Sequence, residues 1–187
     1  MTPRQILPIL LLAATAALSA CAAHQPYAPS KGSAPQWAMK GSGAFDENGK
    51  NVFYGVGIAG NIKNHSLRRS ASDDRGRAEL AKVMNSYVTV LSKDYQASTS
   101  AGGDATSEEQ HVQQTLKNFA KFTLHGSMPV DHWIAEDGTE YALVKLDMDA
   151  VKKSLDSAKE LDGAVRDYVR ANADKAFDEL QGEASKN

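Results

Sequence analysis

The chain has 187 residues, of which 42% are hydrophobic, with 21 Lys and Arg against 23 Asp and Glu and a single cysteine. That length suffices for one ordinary core, and one cysteine excludes an internal disulfide, a cysteine metal cluster and thiol chemistry within the domain. The slight acidity argues against nucleic acid as a partner, because such binding rests on neutralising phosphates with Lys and Arg.

The chain opens with Arg4 and an apolar run from Ile6 to Leu18, broken only by Pro8 and Thr15. This run is shorter than the roughly 20 apolar residues needed to span a bilayer. A basic start, a short apolar core and small residues at its end describe a secretory signal peptide over residues 1–20. Leu18-Ser19-Ala20-Cys21 matches the bacterial lipobox: aliphatic, small, small, cysteine. The match implies that Cys21 carries a thioether-linked diacylglycerol and becomes the acylated N-terminus, where an ordinary signal cleaved after Ala20 would leave a free thiol. Several acyl chains, each stabilised by about 0.8 kcal/mol per buried methylene, make such attachment effectively permanent. Loss of the signal leaves 20 basic against 23 acidic residues and no polybasic patch, so the lipid must supply the membrane affinity.

Residues 21–35 form the expected lipidated N-terminus and flexible tether, with three of the six prolines between Ser, Gly and Ala. The fold is expected to begin near Trp37. A Gly-rich turn through Asp46-Glu47-Asn48-Gly49-Lys50 leads to a short strand, Val52 to Ile58. Asn64 or Ser66 then caps a helix running to about Asn85, with Leu67, Ala71, Ala78 and Ala81 as its inner stripe and an Asp73–Arg77 pair outside. Tyr87 to Ser98, rich in Val, Thr, Tyr and Leu, reads as a long strand. Thr106 and Glu109 form a capping box for a helix that sets Val112, Leu116, Phe119 and Ala120 on one face. Thr123–Ala135 and Glu140–Asp147 read as strands joined around Asp137-Gly138, with Pro129 demanding an edge or a bulge. Val151, Leu155, Ala158 and Leu161 begin a last helical stripe. Gly163 kinks or breaks it, and Val165, Val169, Ala173, Ala176, Phe177 and Leu180 carry it on.

These elements predict an α+β fold. It has a small antiparallel or mixed four-stranded sheet in the order β-α-β-α-β-β-α, helices on one face, and an added C-terminal helix. The expected domain spans residues 36–160, followed by an amphipathic helix and tail over 161–187 that packs on the domain or on a partner.

Gly55-Val56-Gly57-Ile58-Ala59-Gly60 is a literal GxGxxG after a strand, and Glu79 follows Gly60 by nineteen residues. In a dinucleotide fold that acid ends a second parallel strand, whereas Glu79 falls inside a predicted helix. The helix also starts too late to meet a pyrophosphate, so these glycines are expected to serve close packing. The histidines His24, His65, His111, His125 and His132 show no metal-ligand spacing. Asp131-His132 could join a serine as a hydrolytic triad, but no Gly-x-Ser-x-Gly elbow exists to present one. Tyr54, Tyr87, Trp133 and Tyr141 are expected as strand aromatics in the core or, in the alternative reading, lining a ligand pocket.

Pro35-Gln36-Trp37 ahead of Phe53-Tyr54-Gly55-Val56-Gly57-Ile58-Ala59 resembles the opening and the "YGVG-A" strand of the LPP-twenty family of bacterial outer-membrane lipoproteins. Asp74 to Lys82 is similar to that family's "AR-ELAK" helix, with Gly76 where alanine is more usual. Leu124–Trp133 with Asp137–Asp147 resembles its closing hairpin, and the likeness covers about residues 35–160. It implies a lipoprotein without catalytic residues or cofactors, related to flagellum-associated outer-membrane lipoproteins. Ala22, standing where aspartate would favour inner-membrane retention, points to the outer membrane. The expected function is therefore non-enzymatic: a lipid-anchored envelope protein contacting other envelope proteins or its own copies. The alternative is a tethered periplasmic module for a small ligand. Cys21 is the only expected functional position.

Overall fold

The structure is a computed structural model that describes residues 29–99, 107–125, 127–158 and 163–184. The elements are α1 (Gln36–Lys40), β1 (Gly43–Asp46), β2 (Asn51–Ala59), α2 (His65–Thr99), α3 (Ser107–Leu124), β3 (Met128–Ile134), β4 (Glu140–Asp147), α4 (Met148–Ser157) and α5 (Gly163–Ala184). The strands form one antiparallel sheet ordered β1-β2-β4-β3, and the fold is α+β.

Helices α2 to α5 bury one face of this sheet, with Phe53, Val144 and Leu146 meeting Leu80, Tyr87, Leu116, Val151 and Phe177. The other face carries a smaller cluster of Val52, Tyr54, Val56 and Leu143, on which Trp37 of α1, Phe45 and Tyr141 pack. Strand period explains the division: alternate residues of β2 and β4 point to opposite faces.

The sequence expectation fails most clearly at Tyr87–Ser98, which continues α2 instead of forming a strand. Ser72, Gly76, Leu80, Met84, Tyr87, Val88 and Leu91 are all buried, a spacing of threes and fours that fits one helical face. Tertiary burial here overrides the strand preference of Val, Thr and Tyr. The same face displaces the expected stripe, since Leu67 is 60% exposed and Ala78 is also exposed. The missing strand is replaced in the count by β1, whose Gly43–Asp46 lies in the segment expected as a turn.

Several local expectations hold. Asn64 caps α2, its Oδ1 accepting from the Leu67 N–H at 2.9 Å. The β3–β4 hairpin turns at Gly138 with φ 83°, a conformation that suits glycine. β3 is an edge strand, and its register shifts between Pro129 and Asp131. The strand expected from Thr123 begins only at Met128, because α3 runs to Leu124. α4 ends at Ser157 and a new helix starts at Gly163. In α5, Val165, Val169, Ala173, Ala176 and Phe177 join the same core as α2 and the sheet, so this helix packs on its own domain. Thr106 of the expected capping box, and Leu161, lie outside the described residues.

Candidate functional site

The polar side chains converge where the first turns of α2 cross the end of β3 and the start of β4. Arg69 and Asp73 are one turn apart on α2 and both reach His132 of β3. His132 Nε2 lies 2.6 Å from Asp73 Oδ1, and its Nδ1 lies 3.0 Å from an Arg69 guanidinium nitrogen. A guanidinium only donates, so in this geometry Nδ1 accepts and Nε2–H donates to Asp73. Both ring nitrogens are thereby occupied, and neither is left to activate a nucleophile. The side chains of Asp131 and His132 do not pair, because consecutive strand residues face opposite ways; Asp131 Oδ1 accepts from the His132 backbone N–H, at 2.8 Å. Asp131 Oδ2 instead accepts from the Trp37 indole N–H at 2.8 Å on the other face. Asp73, expected to pair with Arg77, goes to His132, and Arg77 lies 3.5 Å from Asp74.

At the position next to Arg69 on α2, Arg68 Nε sits 3.2 Å from Oε2 of Glu140, whose side chain is fully buried at the start of β4. The Arg68 guanidinium also donates to the Ile62 carbonyl at 3.4 Å. Glu140 Oε1 has no hydrogen-bond partner among the described residues. This pair ties α2 to the sheet, and its geometry holds no group poised for chemistry. It was missed in the sequence, although alternation over Glu140-Ala142-Val144-Leu146 marks Glu140 as an inward-facing charge.

The glycine motif is filled by the protein itself. A Cβ on Gly55 would lie 2.5 Å from the Leu80 nitrogen and collide with the Gly76 carbonyl. One on Gly57 would lie 2.9 Å from the Gly76 Cα and collide with the Ser72 carbonyl. Gly76 answers from the helix, where a Cβ would come 2.7 Å from Val144 Cγ2. Backbone therefore lies on backbone, leaving no space for a pyrophosphate, and glycine is required at 76 because the sheet is this close. Glu79 points outward, with Lys82 Nζ 2.6 Å away.

The aromatic set divides. Tyr54, Trp133 and Tyr141 lie on one face of the sheet, with Trp133 and Tyr141 5.1 Å apart between ring centroids. Tyr87 belongs to α2 on the other face, where its hydroxyl donates to the Ala173 carbonyl at 3.1 Å. The four cannot line one pocket. Tyr54 donates to Glu47 at 2.8 Å and Glu47 also binds Lys145. Burial and the Glu47 carboxylate push the Tyr54 hydroxyl up to about 12, while the Lys145 and Tyr54 hydrogen bonds hold Glu47 below its ordinary range.

The chain matches no protein-family model and no curated protein. His125 closes the C-terminus of α3, its Nδ1 3.0 Å from the Lys121 carbonyl. Among the described residues no group of three or more His, Cys, Asp or Glu could hold a metal, and no helix is long and apolar enough to cross a membrane. Leu18, Ser19, Ala20, Cys21 and His24 lie outside the described residues.

Proposed function

We propose that this chain is a lipoprotein anchored to the outer membrane through Cys21, with a non-enzymatic structural or protein-interaction role in the cell envelope. The observation that carries the reading is Leu18-Ser19-Ala20-Cys21, a lipobox closing a short apolar leader around the chain's only cysteine. The resemblance to LPP-twenty lipoproteins extends it to a scaffold beside an envelope assembly, the flagellum among them. The folded residues are compatible with this. The glycine motif is consumed in packing, and His132 is spent on Asp73 and Arg69.

Mass spectrometry of the N-terminal peptide from native membranes tests the anchor. A peptide starting at Cys21 with added diacylglycerol and acyl mass is expected, and Cys21→Ser should move the protein out of the membrane fraction. An unmodified Cys21 thiol overturns the reading. Crosslinking in cells tests the scaffold role, which a lone monomer without neighbours would refute.

A further inference from the structure

The lipid reading fixes where the membrane is attached, and the fold adds which end of the molecule faces it. Ser30 is stitched to the end of β3: its N–H donates to the Ile134 carbonyl at 3.0 Å, and its Oγ accepts from the Ile134 N–H at 3.0 Å. Residues from 30 onward, expected as free tether, are therefore already joined to the domain. Nine peptide units join Cys21 to Ser30. Covalent geometry limits their reach to about 32 Å.

The same end of the sheet holds the β3–β4 turn and the start of α2. From there α2 runs 35 residues away, about 52 Å at 1.5 Å per residue. Its far turns carry the start of α5, with the Tyr95 and Tyr168 rings 5.0 Å apart. Even that maximum reach is shorter than the helix, and swinging the far tip downward would drive the body into the bilayer. The near end offers Leu67, 60% exposed on the first turn of α2. Lys31 and Lys63 are also exposed there, balanced by Glu136 and Asp137 on the turn.

We propose that this hairpin end, with Ser30, Lys63, Leu67 and Glu136, is the surface that rests on the lipid headgroups, while the α2–α5 tip points away from the membrane. The proposal rests on the lipid anchor at Cys21, and the chain's cysteine content allows the two to be tested separately. If the Cys21 sulfur is acylated, a single engineered cysteine is the only thiol.

The experiment uses full-length lipoprotein purified from membranes and reconstituted in phosphatidylethanolamine–phosphatidylglycerol vesicles with a headgroup-linked acceptor dye. Glu136→Cys, on the turn, and Ala97→Cys, near the end of α2, are each labelled with a maleimide donor; both sites are exposed. Severalfold greater energy transfer from position 136 than from position 97 is expected. Equal transfer, or greater transfer from position 97, overturns the orientation while leaving the anchor intact. Wild-type protein treated in parallel should take up no dye. Uptake at Cys21 would overturn the anchor and the orientation together. Unchanged thermal melting of both variants confirms that each reports on the folded domain.

Discussion

Over Ser72–Leu80 helix α2 lies on the sheet with Gly55, Gly57 and Gly76 letting the two backbones approach closely. From Met84 to Tyr95 the same helix stands off on large side chains. Phe53 meets Tyr87 and Phe177 edge-on, with centroids 5.2 and 5.1 Å apart. The first half is held by the absence of atoms and the second by their abundance. Near the sheet, an atom added at Gly55 or Gly57 must displace backbone; in the aromatic half, any removed atom leaves a void.

Substitutions break the two halves in opposite ways. Phe177→Ala should cost the most, about 4 kcal/mol, because the ring is fully buried and its neighbours cannot collapse into the space. Urea denaturation measures this, and a loss under about 1 kcal/mol would mean that α5 is not integral to the core. Gly57→Ala should cost about 3 kcal/mol through overpacking, although it adds a single methyl group. A melting temperature near that of the wild type would show that α2 can retreat from the sheet.

In the first turn of α2, Arg68→Ala should cost about 3 kcal/mol by leaving the Glu140 carboxylate buried without its cation. Combining Arg68→Leu with Glu140→Met should recover most of that loss, since an apolar pair removes both desolvation costs. If the double variant is as unstable as Arg68→Ala, the pair is not the cause. Tyr87→Phe should cost only about 1 kcal/mol, the net contribution of one buried hydroxyl hydrogen bond.

The smallest effect belongs to the opposite sheet face and depends on pH. Glu47 is held below its ordinary 4.5 first by Lys145 and then by Tyr54. A depressed carboxyl contributes stability above its unfolded value and loses it as pH falls through the folded one. The stability gap between wild type and Glu47→Gln should therefore be fully present above pH 4.5 and close on further acidification. Denaturant midpoints across that range measure it, and a gap that widens in acid would contradict the assignment.

This contrast also explains what the sequence revealed. The β3–β4 hairpin, the Asn64 cap, the Pro129 irregularity and the stripes of α3 and α5 were legible because each rests on local chemistry: a turn glycine, a capping side chain, an interrupted ladder, a helical period. The packing role of Gly55 and Gly57 was legible for the same reason. The second half of α2 was not. Its Val, Thr and Tyr residues suit a strand locally, and only burial against α5 and the sheet makes them a helix. The Arg68–Glu140 and His132–Asp73 pairings were hidden because their members lie 72 and 59 residues apart. Recognising the α2 inner face as Ser72, Gly76 and Leu80 would have brought Arg69 and Asp73 toward the edge strand.

The strap that precedes β1 has a mechanical consequence. Ser30 is pinned at Ile134, Trp37 clasps Asp131, and Ser42 accepts from the Val56 N–H. Tension arriving from the N-terminus loads these attachments in series, before any contact of the main core. Their successive release would pay out about 40 Å of chain, lengthening the N-terminal connection while the sheet and helices α2 to α5 stay folded.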